Sequence, residues 1–276
     1  MPDPTPASCV PRPGGGAVAE PAPWIPSVPF VLTGTEFDVV WEHLGLGATP
    51  VALRLPSPGR TREERRRVVA AGVAGLRARG LAGPAGPDPA LVRLLTLLAR
   101  PDRHLEVRGR FDDGPLRAVA AERDGDGVLA VHTGTAVTVT AAGSPAFAAV
   151  SALPRRAPGP GPAVTLPTAE LARVLDGDAR TDPGTAGDDE QRARLVSLLA
   201  GPAHRAQICA VRHDHWGSPA RLPGHVAVVD TQRGRYRLTR GTGAHGGPEW
   251  STLAPAGDGE LRDRFAELFS PGRSAA

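Results

Sequence analysis

The sequence predicts an α+β fold: a duplicated pseudo-two-fold unit with antiparallel β-meanders in a central sheet and helices packed on it. Three observations predict it. Helix, proline, meander and closing helix follow one another twice along the chain. Arg93-Leu-Leu-Thr-Leu-Leu-Ala-Arg-Pro101 recurs as Arg194-Leu-Val-Ser-Leu-Leu-Ala-Gly-Pro202, with six of nine positions identical. Leu166-Pro-Thr-Ala-Glu-Leu171 likewise echoes Leu32-Thr-Gly-Thr-Glu-Phe37. The divisions that follow are a Pro-rich disordered tail (1–29), a first half (30–153), a Pro/Gly linker (154–163), a second half (164–270) and a short disordered tail (271–276).

Each element has a local reason. Residues 1–29 hold nine prolines and little to bury, so disorder is expected, with Trp24 and Ile25 as the only residues suited to docking. Thr33 and Glu36 form a capping box. Phe37, Val40, Trp41 and Leu44 then fall on one helical face. Gly45 and Gly47 close that helix through the left-handed conformation. Val51, Leu53 and Leu55 alternate with Ala52 and Arg54, which predicts a strand. Thr61 and Glu64 open a second helix with its stripe at Val69, Val73 and Leu76, and Gly80 ends it. Leu81–Pro89 is a connector. Leu91, Leu94, Leu95 and Leu98 make the next helix, stopped by Pro101. Strands are expected over His104–Phe111, Leu116–Glu122, Val128–His132 and Val137–Thr140, the middle pair joined by the hairpin signal Asp124-Gly-Asp-Gly127. Pro145–Leu153 is a short helix.

In the second half, His225–Asp230 and Tyr236–Thr239 make a hairpin across Gln232-Arg233-Gly234. Trp250–Leu253 is the last strand. Glu260–Phe269 closes the chain as a helix with Leu261, Phe265 and Leu268 on its inner face.

Composition bounds the function. A chain of 276 residues buries roughly 75% of its unfolded surface and needs neither disulfide nor metal to fold. Cys9 and Cys209 are expected as free thiols. All 32 basic residues are arginine, yet the net charge is only +3, which is weak for nucleic-acid binding. Arg65–Arg67 reads as a solvated helix face with a Glu63–Arg67 pair. An arginine-mediated contact with an anionic partner would require binding that weakens steeply with salt. No apolar run approaches a membrane span, so a cytoplasmic protein is expected, without membrane insertion.

Candidate chemistry is sparse. Gly241-Thr-Gly-Ala-His-Gly246 matches a dinucleotide fingerprint in letters, but a strand follows it where the mechanism needs a helix N-terminus. A hairpin loop is expected there. Cys209, His213 and His215, with His225 or His245, are the alternative reading: a metal-binding protein or metalloenzyme. Their C-x3-H-x-H spacing is not a standard zinc pair. Asp112-Asp113 reads as a turn and Asp188-Asp189 as a helix start, where acids favour the dipole. No catalytic residue, cofactor site or metal site is assigned, and no enzyme activity is expected.

Leu32-Thr-Gly-Thr-Glu-Phe-Asp-Val-Val-Trp41 through Pro56-Ser-Pro-Gly-Arg-Thr61, Leu97-Leu-Ala-Arg-Pro101, Asp230-Thr-Gln-Arg-Gly-Arg-Tyr236 and Trp250-Ser-Thr-Leu-Ala-Pro255 together resemble the EspG family of type VII (ESX) secretion-associated proteins. The resemblance runs from about Phe30 to Phe269. It implies a pseudo-two-fold α+β fold and a cytosolic chaperone. Its partners would be helical-hairpin secretion substrates, PE–PPE-like heterodimers, kept soluble and directed to export. A helical hairpin with an apolar tip is an aggregation hazard that such a chaperone would cover. The turns within 112–127 and the last helix, 259–269, are expected near the client. No contact residue is carried over from the family.

Overall fold

Thr33 fixes the start of the first helix. The computed structural model describes residues 28–175, 193–198, 203–242 and 247–270. Helix α1 spans Gly34–His43 and follows strand β1 (Phe30–Thr33) without a break. The Thr33 hydroxyl accepts from the Glu36 N–H at 3.2 Å, and the Glu36 carboxylate accepts from the Thr33 N–H at 2.8 Å. Glu36 is nearly buried and also meets Arg79. Thr33→Ala therefore loses about 1–2 kcal/mol of stability in urea unfolding, the range of a lost N-cap. Trp41 Nε1 donates to the Gly47 carbonyl at 2.9 Å and pins the loop that follows.

The remaining elements follow the periodicity of the sequence closely. Helix α2 spans Arg62–Ala78 and opens on the Thr61–Glu64 capping box; α3 spans Pro89–Ala99 and buries all four predicted leucines. The Leu81–Pro89 connector contains a two-stranded ribbon, β2 (Ala82–Gly83) and β3 (Gly86–Pro87). The meander is β4 (Arg103–Phe111), β5 (Gly114–Arg123), β6 (Asp126–Thr133) and β7 (Ala136–Ala142). Asp124 and Gly125 both have positive φ, 52° and 84°, the hairpin turn that suits the strand twist. Helix α4 covers Pro145–Ser151. The second half runs β8 (Val164–Pro167), α5 (Thr168–Leu175), α6 (193–198), β9 (His204–His213), β10 (Pro219–Arg221), β11 (Val226–Thr231), β12 (Gly234–Thr242), β13 (Glu249–Pro255) and α7 (Asp258–Glu267).

All strands but the β2–β3 ribbon join one antiparallel sheet, in the order β1-β7-β6-β5-β4-β9-β11-β12-β13-β8, with β10 also paired to β9. Three cores hold it. On one face α4 and α7 pack across the middle of the sheet, with Leu105, Val107, Ile208, Val228, Leu261 and Phe265 at their centre. On the other face α1, α2 and α3 cover β5–β7, and α5 with α6 covers β8 and β11–β13.

Two expectations are corrected. Val51–Leu55 is not a strand: Val51–Leu53 is a single 3-10 turn, closed by Leu53 N–H to the Pro50 carbonyl at 2.9 Å. Ala52 and Leu53 are buried in succession while Val51 stays 56% exposed. The turn lies on β5, whose two edges are already filled by β4 and β6, so no ladder is open to a further strand there. Second, Phe30–Thr33 is a strand and pairs with β7 at the edge of the sheet. The Pro/Gly segment 154–163 runs along β12 as a strap. It exchanges backbone bonds with Arg235 through Ala157 and Gly159, at 2.8 and 2.9 Å. A Cβ on Gly159 would lie 2.1 Å from the Tyr236 ring, so only glycine fits that crossing. Cys9, Trp24, Ile25, Asp188, Asp189, Pro202 and 271–276 lie outside the described residues.

Candidate functional site

Strand alternation decides what the middle of the sheet shows to solvent. On β4, Leu105 and Val107 enter the α4–α7 core, so His104, Glu106, Arg108 and Arg110 face the other way. On β9, Ala206, Ile208 and Ala210 enter that core, so Arg205, Gln207, Cys209 and Val211 share the opposite face. Neither helix-covered core on that face contains a residue of β4 or β9. Among the described residues the two central strands therefore floor a polar trough between the α1–α3 layer and the α5–α6 layer, along which Arg108, Arg110, Arg205 and Gln207 are exposed while His104, Cys209 and Val211 are buried.

One end of the trough holds histidines. His213 Nδ1 lies 3.1 Å from the Gly217 carbonyl, which only accepts, so that nitrogen carries the proton. In its neutral form His213 then accepts at Nε2 from His104 Nδ1, 3.2 Å away. Burial holds His213 below the ordinary histidine range. Glu106 sits 3.9 Å from His104 and accepts from Arg108 at 2.9 Å. His104 first, and Arg108 after it, keep the Glu106 carboxyl below its usual range against the opposing effect of burial.

The other end holds arginines. Arg54, Arg108, Arg110 and Arg117 line an open pocket of about 470 Å³, with Val51 on its wall. Arg205 stands directly across the ladder from Arg110.

The metal alternative gains no support from these positions. Cys209 and His213 lie four residues apart on one strand, about 13 Å along it, too far for one tetrahedral ion. Both His213 nitrogens are engaged, and His215 lies beyond the strand, its ring tilted at 46° against Trp216, 4.6 Å between ring centroids. Cys209 accepts from Arg221 at 2.8 Å, and burial pushes its thiol up, away from the thiolate that binds metal. Among the described residues no three His, Cys, Asp or Glu side chains converge on a metal position. Gly241 and Thr242 end β12, paired with Trp250 and Glu249 of β13, and 243–246, with His245, lies outside the described residues. Asp112 is a turn residue as expected and meets His204 at 2.9 Å. His104, the partner of His213, drew no attention in the sequence, because its neighbour comes from a strand far along the chain.

The Asp230–Tyr236 motif is structural. Arg235 is 1% exposed and grips both oxygens of Asp230 at 2.7 Å, while Tyr236 donates to the Pro160 carbonyl at 3.1 Å. No described helix is long and apolar enough to cross a membrane.

Comparison with known proteins places this architecture. A search of curated proteins finds no match. Among solved structures, the chain is similar to the Mycobacterium tuberculosis type VII secretion system chaperone EspG5, solved in complex with the PE25-PPE41 dimer. The TM-score is 0.66 at 17% sequence identity, over 89% of this chain and 98% of that one. At that identity the likeness establishes the shared fold: a large antiparallel sheet with helices. The family model described as the EspG family matches residues 33–267, far more than half of the chain. The chain belongs to the EspG family.

Proposed function

We propose that this protein is a cytosolic chaperone of type VII (ESX) secretion. It binds a helical PE–PPE-like substrate, keeps it soluble and directs it to export. The observation that carries this is family membership across 33–267. The chaperone EspG5, which shares the fold, binds a PE25-PPE41 dimer, and this supports the choice of client. The β4–β9 trough is the client's seat in this proposal: among the described residues no helix-covered core on that face takes a residue of either strand. The chain acts as a binding module and not as an enzyme. Cys209 and His213, the residues best placed for chemistry, are committed to partners within the fold.

The duplicated reading of the fold belongs to the same proposal. In each half a short edge strand leads into a helix (β1–α1, β8–α5), a second helix precedes a central strand (α3–β4, α6–β9), and a terminal helix follows the meander (α4, α7). The strand order is mirrored about the β4–β9 pair. The halves are 30–153 and 164–270, joined by the strap at 154–163. Here β9 stands where β4 stands in the first half, so the β11–β12 hairpin matches β5–β6.

The test is solubility. A PE–PPE-like heterodimer that aggregates when produced alone stays in solution when this chain is co-expressed with it. A client that aggregates equally in both cases contradicts the proposal.

A further inference from the structure

We infer that the arginine end of the β4–β9 trough seats an acidic helical segment of the client. This rests on the chaperone reading above and adds the chemistry of its partner.

The register of the central ladder is the first ground. It places Arg108 opposite Arg117, and Arg110 opposite Arg205. Like charges directly opposite one another destabilise a sheet. A third opposed pair, Arg103 and Arg212, lies on the reverse face and shows how the fold treats such a clash when it is structural. Arg103 donates to Glu122 at 3.0 Å and lies 5.1 Å above the Phe269 ring, while Arg212 donates to the Phe269 carbonyl at 2.8 Å. Both charges there are answered from within the chain. In the trough, Arg108 alone has an acid, Glu106. Arg54, Arg110, Arg117 and Arg205 are exposed and make no hydrogen bond or ion pair among the described residues.

The spacing selects the partner. Neighbouring arginines stand about 4.8 Å apart across strands and about 7 Å apart along one strand. A helix presents carboxylates at i and i+4 about 6 Å apart, which fits that grid. Guanidinium forks hold carboxylates bidentately, and exposed Val51 offers an apolar wall for the rest of the same helix. Nucleic acid fits less well. The whole chain carries only +3, Glu106 lies inside the strip, and no aromatic ring lines the pocket for a base to stack on.

The experiment is a titration of the full chain with a PE–PPE-like heterodimer, using wild type and the Arg110→Gln/Arg117→Gln variant, with a thermal melt of each. Wild-type affinity falls about tenfold or more between about 50 and about 500 mM NaCl, as screening of exposed charges requires. The variant loses about tenfold or more at low salt, and its salt dependence flattens. Its Tm is equal or higher, because two opposed like-charge pairs, Arg108 with Arg117 and Arg110 with Arg205, have been relieved. That combination separates lost recognition from lost folding. A variant that binds as tightly as wild type, with the same salt profile, overturns the inference and leaves the chaperone reading standing. A wild-type chain that binds no client removes both. A short DNA duplex that displaces the client from wild type overturns the acidic-helix assignment in favour of a polyanion.

Discussion

Asp230→Ala loses about 3–5 kcal/mol in urea unfolding, the cost of leaving one member of a buried ion pair alone. Arg235 is then 1% exposed with no carboxylate. Both guanidinium bonds to Asp230, each 2.7 Å, disappear, and only the Pro154 carbonyl remains for it. The position matters as much as the charge. The Arg235 backbone bonds Ala157, Gly159 and Ala256, so the strap and the end of β13 hang on the same residue. A domain of this kind holds roughly 5–15 kcal/mol in all, so one such loss removes about a fifth of it or more. Arg235→Lys does not rescue the pair, because an ammonium lacks the planar fork that meets both oxygens. A volume-matched apolar pair in place of both residues recovers most of the stability, since it removes two buried charges together. An Asp230→Ala chain with a wild-type midpoint would contradict this account of the motif.

Phe265→Ala is the second large loss, again about 3–5 kcal/mol, the range for a buried phenylalanine. Its side chain is fully buried between α7 and the sheet. The core it fills takes residues from β4, β5 and α4 early in the chain and from β9, β11 and α7 late in it. The cavity therefore weakens the joint between these early and late elements and not just the last helix. Differential scanning calorimetry shows a single transition moved down. Two separated transitions, with only one displaced, would mean that the early and late elements unfold independently.

Much of the fold was legible because its signals are local. Thr33–Glu36 and Thr61–Glu64 are capping boxes whatever surrounds them, and the Asp124-Gly125 turn is set by its own φ angles. Val51–Leu55 shows the limit. Five residues of alternation describe a strand or a turn laid on a core equally well, and the choice was made by β5, which has no free edge beneath the turn. β1 was missed for the converse reason: its partner β7 lies far down the chain. The trough was illegible as a site. His104, Glu106, Arg108 and Arg110 read as the solvated face of an amphipathic strand. Their meaning comes from the long-range register that sets Arg205 and Cys209 beside them and from the helices that stop short of both strands. The C-x3-H-x-H pattern, already off the standard zinc spacing, gathers no ligand set, since spacing along a strand separates Cys209 from His213.

The most direct measurement is the mass of a purified complex. This chain is co-expressed with helical type VII substrates, and the product is run by size exclusion with light scattering. The account predicts one species with the mass of one chain plus one client heterodimer. Separate elution of chain and client, for every PE–PPE-like pair tried, would contradict it.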